Sequence, residues 1–434
     1  MGRGPSYGSE TTEFVTKRMC FVSVMSISFL CLLTGFIVGR FVSDQVISMR
    51  DARMLRVLDA NGLAKTLQLR DELLKLLNQS SFHDNPQMIP ELQHLKKLEV
   101  NRTEDLFKDL SLFKLNVEET SDCTIATICG VEEPDRYIVL SASYHGYDVA
   151  YKVAKSFDHL YRDHEKLWQP KRTIIFCVFI GKEDSCKDMI LERIKPKIVA
   201  YIAIHGTAAL GKDIAVSGSG MVQATMLDAV DEVRSFNGDE LTVADSPIAL
   251  QKLNIDVPHV VLSFIGENRS NQNSSENQKT LAQIAGITIF RLSEGIFFRW
   301  NPKYFGDIMN KTVKNMIVKP SIQGSVDNFT ETINNLIRDI KKFNLILDKT
   351  NMLKLLDVRM MNDKLMDLDR AMLCHSSPKV DFEIFSQQSS INEHFIMNES
   401  NKIKKCYETA NRIILDQAQC RQITKDQSDL SNHN

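Results

Sequence analysis

The stretch E-E-P-D-R-Y-I-V-L-S-A-S-Y-H, residues 132–145, carries a short apolar run between charged residues and His145. Two similar runs follow it, K-R-T-I-I-F-C-V-F-I-G-K-E at 171–183 and I-V-A-Y-I-A-I-H at 198–205. All three are rich in branched and aromatic side chains, which suit the pleated surface of a sheet. Their short length and charged borders predict buried strands rather than helices.

The segment between the first two runs has a helical pattern. Val149, Val153, Phe157 and Leu160 recur at helical spacing, and charged residues fill the other face. A strand, a helix and a strand in this order predict a parallel sheet with a right-handed crossover. Ligands and catalytic groups of such sheets lie just beyond the carboxyl ends of the strands.

Further along the chain, the same patterns predict more elements of an α/β domain. Residues 112–130 alternate weakly and predict an edge hairpin, and short apolar runs at 213–217 and 257–264 predict two more strands. Apolar spacing predicts a helix from residue 222 that ends near Asn237-Gly238. The polar residues 265–280 are predicted to form a loop.

Beyond residue 325 the pattern becomes purely helical. One stripe contains Ile333, Leu336, Ile337, Ile340 and Leu347, and a second contains Leu355, Val358, Met361, Leu365, Leu368 and Met372. A third helix is predicted around 401–419. Residues 325–424 are therefore predicted to be a helical domain whose wide apolar stripes suit bundle packing or a partner surface. Residues 425–434 form a polar tail.

Residues 19–39 carry no charged side chain. At 1.5 Å per residue, 21 residues span a bilayer core of about 30 Å, so a transmembrane signal anchor is predicted there. A cleaved signal peptide is the alternative, but the apolar segment is long and a polar tail, residues 1–18, precedes it. The flanking basic residues do not decide the orientation.

Glycosylation sequons favour an external carboxyl-terminal side. Seven Asn-x-Ser/Thr tripeptides follow the predicted anchor, at Asn78, Asn101, Asn268, Asn273, Asn310, Asn328 and Asn398. Such a tripeptide is an acceptor when its segment reaches the secretory lumen. The set predicts a single-pass type II glycoprotein of the cell membrane or a secretory-pathway membrane.

Charge and cysteine usage exclude some classes of protein. A net charge of −2 and the lack of a dense basic stripe argue against a nucleic-acid partner. Of nine cysteines, two lie in the predicted anchor, and the seven others include no C-x-x-C pair, which argues against a structural zinc module. Seven is odd, so at least one external thiol is free or pairs between chains. Cys177, in a predicted core strand, is interpreted as a small buried apolar residue.

Four motifs together resemble one known family. V-E-E-P-D-R-Y-I-V-L, W-Q-P-K-R-T-I-I-F, V-A-Y-I and L-D-V-R-M-M-N-D-K-L-M-D-L-D-R-A at 356–371 are similar, in order and spacing, to the membrane glutamate carboxypeptidase and transferrin receptor family. The resemblance implies type II membrane glycoproteins with a zinc aminopeptidase-like α/β domain and a carboxyl-terminal helical dimerisation domain. It covers roughly residues 40–75 and 115–425.

The resemblance also gives the predicted domain boundaries. A helical stalk and linker occupies 40–111, and a degenerate peptidase-like α/β domain, with a mixed and mostly parallel sheet flanked by helices, occupies 112–324. Family members usually carry a protease-associated domain before the E-P-D-R-Y strand, but about fifty residues fill that interval here, against about 100 for a usual domain. Either that domain was lost or the gene model is incomplete.

In the peptidase members, five ligands hold two zinc ions beside a catalytic base. Aligned on the strands, Ser143 replaces a His ligand, Lys182 replaces the base, and His205 replaces an Asp ligand, whereas Glu183 is kept. The Gly-rich loop with a bridging Asp is missing, because Tyr147-Asp148 passes straight into the predicted helix. The last His ligand is missing as well, since no His occurs between His259 and His375.

The sequence therefore predicts a catalytically inactive family member that acts as a binding or receptor-like protein. It is expected to need no cofactor, to form a homodimer through its carboxyl-terminal helices, and to bind an unidentified protein or peptide. The alternative is a metallo-carboxypeptidase or dipeptidase with an altered site, in which His145, Glu183 and His205 hold one zinc ion. A truncated gene product without a stable fold is a third interpretation.

Overall fold

A computed structural model describes most of the predicted core. The described residues are 24–32, 34–35, 66–79, 118–120, 123–143, 146–163, 168–179, 183–204, 212–238, 241–244, 255–265, 274–298, 300–304, 306–307, 323–348, 355–373, 401 and 404–414. The chain divides into two units, Met1–Lys65 and Thr66–Asn434. All strands and helices labelled below belong to the second unit.

The second unit contains seven described strands in one mixed sheet. The strands are β1 (Glu118–Thr120), β2 (Cys123–Ile128), β3 (Glu133–Ser143), β4 (Arg172–Phe179), β5 (Ile198–Ile204), β6 (Asp213–Gly218) and β7 (His259–Ile265). Their order in the sheet is β1-β2-β4-β3-β5-β7-β6. Strands β4, β3, β5 and β7 are mutually parallel, and the outer strands pair antiparallel. The predicted mixed sheet and its edge hairpin are confirmed, and three of its six strand pairs are parallel.

Strand β3 is the centre of the connectivity. The chain runs from β3 to its neighbour β4 and then crosses back to β5 on the other side of β3. The order of the strands therefore reverses at β3, and such a switch point opens a crevice at the carboxyl edge of a sheet. The strand arrangement places the predicted site region at the position that this rule expects.

Helices cover both faces of the sheet. The described helices of this unit include α1 (66–78), α2 (Tyr147–Asp163), α3 (Glu183–Ile194), α4 (Gly220–Asn237), α5 (Ser274–Glu294), α6 (Gln323–Asp348), α7 (Leu355–Met372) and α8 (404–414). The large core cluster lies on the face of α2, α4 and α5, and α6, α7 and α8 contribute to it. A smaller cluster on the other face includes Ile190 of α3. The sheet is thus flanked by helices, as predicted.

Helix α5 corrects one prediction. The sequence predicts a polar loop over 265–280, but residues from Ser274 onward are helical, and α5 continues to Glu294. Its second half, from Leu281 to Leu292, is largely buried in the core. A helix that is apolar on all sides shows no amphipathic stripe, so its periodicity gives no helical signal.

The predicted end of helix α4 and the predicted stripes of two later helices are confirmed. Helix α4 ends at Asn237, and Gly238 follows with φ of 74°, the left-handed conformation that glycine adopts at low cost. Helices α6 and α7 bury the predicted stripes, including Ile333, Leu336, Leu365 and Leu368. The helical pattern beyond residue 325 therefore marks real elements, whereas the domain boundary at 324/325 stays a prediction.

Helix α1 packs on α5. Leu77 of α1 lies where a side chain at Gly286 would be, since a Cβ there would come within 2.6 Å of Leu77 Cδ1. Lys152 Nζ donates a hydrogen bond of 3.1 Å to the carbonyl oxygen of Gln79, just after α1. Burial lowers the pKa of Lys152 to about 8, and Lys279 adds to that shift. Helix α1, which lies within the predicted stalk and linker, is thus held against the α/β core.

The membrane and glycosylation predictions are only partly covered by described residues. In the first unit, residues 24–32 and 34–35 are helical with exposed side chains, and the rest of 19–39 lies outside the described residues. Among the described helices, none combines the length and the apolar character that a membrane span requires. Asn78 and Asn328 are exposed, and the sequons at Asn101, Asn268, Asn273, Asn310 and Asn398 lie outside the described residues.

Candidate functional site

The carboxyl ends of the parallel strands meet at one edge of the sheet. Ser143, Phe179 and Ile204 end the adjacent strands β3, β4 and β5, and Ser143 is paired with Phe179. The residues that follow these ends therefore emerge from neighbouring strands, as predicted. His145, Lys182 and His205 lie outside the described residues, and of Glu183 the structure gives the backbone, at the start of α3.

The connection from β3 to α2 is short. Residues 144–146 separate Ser143 from the first residue of α2, Tyr147. Asp148 lies in the first turn of that helix and is exposed. The prediction that the chain passes straight from Tyr147 into the helix is therefore confirmed.

Ser143, the last residue of β3, offers no usual zinc ligand at this edge. Ser143 Oγ is buried and has no hydrogen-bond partner among the described residues. A neutral serine hydroxyl is not among the usual zinc ligands, which are Cys, His, Asp and Glu. Within the described part of the chain, no three such side chains are grouped as a metal site would require.

The opposite, amino-terminal edge of the sheet carries a buried ion pair. Arg172, the first residue of β4, donates from Nε to Glu133 Oε2 at 2.5 Å, and both side chains are almost fully buried. Glu133 is the first residue of β3, so the pair joins the beginnings of two parallel strands. Burial lowers the pKa of Arg172, and the charge of Glu133 opposes that effect.

The rest of the Arg172 guanidinium binds the last turn of α5 and the residues just after it. Nη1 donates to the carbonyl oxygens of Leu292 and Gly295, both at 2.7 Å, and Nη2 donates to Ile296 at 3.3 Å. The guanidinium carbon lies 4.3 Å from the centre of the Phe298 ring, a cation–π distance. Arg172 therefore satisfies the Leu292 carbonyl, one of those that the end of α5 leaves without an intrahelical partner, and two carbonyls of the residues that follow.

Helix α7 binds the same loop and the same edge. Asn362 donates to the Ile296 carbonyl at 2.9 Å and accepts from the Phe298 amide at 3.1 Å. Two ion pairs then join α7 to β3: Arg359 with Asp135 at 2.5 Å, and Asp363 with Arg136. Burial alone would raise the pKa of Asp135, but Arg359 and Arg136 hold it below its ordinary value.

Helix α7 also caps the amino terminus of α4. Asp369 is fully buried and accepts from Ser219 Oγ at 2.5 Å and from the Met221 amide at 2.7 Å. Ser219 occupies the N-cap position of α4, but its hydroxyl makes no capping bond to its own helix. The carboxylate of another helix supplies the acceptor instead. Burial raises the pKa of Asp369 to about 6, and the two hydrogen bonds oppose that shift.

These contacts join the motifs on which the sequence resemblance rests. Glu133, Asp135 and Arg136 come from E-P-D-R-Y, Arg172 from P-K-R-T, and the α7 residues from L-D-V-R-M-M-N-D-K-L-M-D-L-D-R-A. Sequence reasoning used them as markers and did not predict that they touch. The signal was a set of charged residues that begin otherwise apolar strands and interrupt an apolar helix stripe.

Comparisons with known proteins give distant structural similarities. No protein-family profile and no curated protein sequence matches the chain. One similar solved structure is a zinc aminopeptidase from Bacillus subtilis, with 9% sequence identity and a TM-score of 0.30 over 40% of this chain and 50% of that chain. Another is a metallo-carboxypeptidase from Burkholderia cenocepacia, with 13% identity and a TM-score of 0.31 over 44% of this chain and 68% of that chain. A third is a glutaminyl cyclase from an Acidobacteriales bacterium, with 13% identity and a TM-score of 0.28 over 51% of this chain and 92% of that chain.

The match spans half the length of the Bacillus subtilis enzyme. TM-scores near 0.3 and identities below 25% give no information on activity, ligands or partners. The resemblance to the glutamate carboxypeptidase and transferrin receptor family stays a prediction from the sequence motifs.

Proposed function

We propose that the chain is a non-catalytic binding protein, a relative of the zinc peptidases that keeps the sheet but not the chemistry. The observation that carries the proposal is the pair of residues at neighbouring strand ends. Strand β3 ends in Ser143, and Lys182 follows β4 where the resemblance expects a carboxylate base. A lysine side chain is normally a cation at neutral pH, so it repels metal ions and accepts no proton.

The polar residues that are described support a scaffold role. Glu133, Arg172 and Asp369 are buried and bonded within the fold, at the sheet's amino edge and at the start of α4. They hold helices and strands together rather than pointing into the carboxyl-edge crevice. A fold held together by such buried polar contacts can display loops for binding without a catalytic centre.

The membrane placement is part of the same proposal. We propose an anchor at 19–39 with residues 40–434 on the external or lumenal side, in the cell membrane or a secretory-pathway membrane. The uncharged segment and the sequons support it. A protein or peptide is the proposed ligand.

A hydrolysis assay on the full-length protein tests the absence of catalysis. The protein, purified in detergent and loaded with zinc, is expected to cleave N-acetyl-aspartyl-glutamate no faster than a Glu183→Ala variant. It is also expected to retain less than one zinc per chain by plasma mass spectrometry after dialysis. Turnover that Glu183→Ala abolishes would instead establish the metallopeptidase alternative.

That alternative has one observation in its favour. The strand order β4-β3-β5 makes His145, Glu183 and His205 follow adjacent parallel strands. Two histidines and one carboxylate are a known set for a single transition metal. Single alanine variants at these three positions would then each lower zinc content, a result that the non-catalytic proposal does not expect.

We further propose that the carboxyl-terminal helices mediate homodimerisation. Leu356 and Met360, one turn apart on α7, are 69% and 52% exposed, and Leu345 of α6 is 60% exposed. Residues four apart share one face of a helix, and exposed apolar side chains of this size are common at protein interfaces.

A double variant tests this contact. Leu356→Glu with Met360→Glu is expected to convert a dimer to a monomer in light scattering of the full-length protein, because charges at an apolar interface are desolvated without partners. Phe236→Glu, an exposed apolar residue on α4, is the matched control. A double variant that remains dimeric would contradict the proposed surface.

A further inference from the structure

Two cysteines distant in sequence meet in the smaller core cluster. Cys123 begins β2 and Cys177 lies in β4, and both are buried, at 2% and 0% exposure. The antiparallel register pairs Cys123 with Phe179 and Ile125 with Cys177. The two cysteines are therefore diagonal neighbours on one face of the sheet, and their Sγ atoms lie 3.5 Å apart.

The geometry is suitable for a covalent bridge. Diagonal neighbours on antiparallel strands are close enough for side chains to interact, and the sulfur atoms are already in contact. A disulfide needs the two Cβ atoms to point toward each other, because it cannot span diverging side chains. The contact between the sulfur atoms shows that the side chains of Cys123 and Cys177 converge.

We propose that Cys123 and Cys177 are joined by a disulfide in the mature protein. The oxidant is a small-molecule disulfide such as oxidised glutathione. One cysteine thiolate attacks it, forms a mixed disulfide and releases one glutathione. The second thiolate then attacks the mixed disulfide and releases another glutathione, so two thiols lose two protons and two electrons.

The bridge would fasten the edge of the sheet. Strands β1 and β2 attach to the parallel strands through β4, since β2 pairs with β4 and β1 pairs with β2. A link from β2 to β4 across 54 residues would hold this hairpin in place. The inference relies on the proposed external placement only for the oxidant, because disulfides persist in oxidising compartments.

Peptide mapping of the full-length protein tests the bridge. Protein from cell membranes is alkylated with iodoacetamide before lysis and digested without reductant. The expected result is a peptide pair that links Cys123 to Cys177 and disappears on reduction, while the exposed Cys129 is alkylated. The thermal midpoint is expected to fall with dithiothreitol in the wild type and in Cys129→Ser, but not in Cys123→Ala/Cys177→Ala. If that double variant fails to fold, the peptide map of the wild-type protein still shows whether Cys123 and Cys177 are linked.

The outcomes separate the bridge from the membrane placement. Alkylation of both cysteines without reductant, in cell-derived protein and after refolding with oxidised glutathione, would overturn the bridge. A bridge that forms only on refolding with oxidised glutathione would support the pairing and overturn the external placement. A link already present in cell-derived protein would support the bridge, and removal of Asn78 or Asn328 glycans by a glycosidase in the same sample would test the placement separately.

Discussion

Arg172→Met is expected to destabilise the folded chain by about 3–5 kcal/mol, the usual cost of removing one partner of a buried ion pair. The substitution leaves Glu133 as a buried charge at the start of β3. It also removes the donor to the carbonyl oxygens of Leu292 and Gly295, and one of the two donors to that of Ile296. Methionine fills most of the vacated volume, so the expected loss is electrostatic and not a cavity effect.

Urea unfolding of the full-length protein measures this loss. The chain has two tryptophans, Trp168 and Trp300, and both are buried, so their fluorescence reports the unfolding of the core. Arg338→Met is the matched control, because Arg338 is an exposed arginine of α6, and its midpoint is expected to change little.

A second substitution separates the cost of the unpaired Glu133 charge from the cost of the lost hydrogen bonds to carbonyl groups. Glu133→Gln in the Arg172→Met background removes the unpaired charge, and it is expected to recover part of the lost stability. Equal midpoints for Arg172→Met and the wild type would show that the pair does not hold the strands. A double variant as unstable as Arg172→Met would place the cost in the carbonyl groups of Leu292 and Gly295, which then lack the Arg172 donor.

The sequence predicted the parallel sheet because each of its strands has a composition that differs from its surroundings. The runs at 132–145, 171–183 and 198–205 are β-branched, short and bounded by charges, and the structure contains a strand in each. The edge hairpin and the end of α4 at Asn237 were predicted for similar local reasons. Such features are set by neighbouring residues, so a local pattern reveals them.

Helix α5 was missed for the opposite reason. Residues 281–290 read L-A-Q-I-A-G-I-T-I-F, and the helix they form is buried from Leu281 to Phe290. Burial on all sides removes the polar face that identifies a surface helix, and the isoleucines favour strands in a propensity argument. The helical state comes from packing against α2 and α4, which lie far away in the sequence.

The long-range hydrogen bonds and ion pairs between helices and strands could not be predicted from the sequence either. Asp369 contacts Ser219 and Met221 across about 150 residues, and Asp135 contacts Arg359 across more than 220. No local spacing relates such residues, so the pairs follow from the fold and not from a motif. At the carboxyl edge, a local pattern predicts which residue types end the strands, whereas the order β4-β3-β5 follows only from the fold.

Asp369→Asn is expected to stabilise the chain at neutral pH. Burial raises the pKa of Asp369 to about 6 from an ordinary 3.8, and about 1.4 kcal/mol per pKa unit makes the cost of ionisation about 3 kcal/mol. Asparagine is close to a protonated aspartic acid in shape and avoids that cost. Its side-chain oxygen can still accept from the Met221 amide at the start of α4.

The sign of the pH dependence follows from the same shift. A buried acid whose folded pKa exceeds its unfolded pKa binds a proton more tightly in the folded state. Its contribution to stability is therefore complete below about 3.8 and is lost as the pH rises through about 6. The wild type is expected to lose about 2.4 kcal/mol more than Asp369→Asn between pH 4 and pH 7.5.

Urea midpoints of both proteins at pH 4, 5, 6 and 7.5 measure the difference. Groups that titrate elsewhere cancel in the comparison, because both proteins contain them. Asp367→Asn is the matched control, since Asp367 is an exposed aspartate of the same helix, and its pH profile is expected to follow the wild type.

Parallel profiles for Asp369→Asn and the wild type would mean that the carboxylate is stabilised as an anion. The positive end of the α4 dipole favours a negative charge at this position, and it acts against burial. The dipole is worth up to about 2 kcal/mol in partly buried sites, less than the cost of burial. The cost of burying the carboxylate is therefore expected to exceed the stabilisation from the helix dipole. Helix α7 would then hold α4 most firmly when Asp369 is protonated.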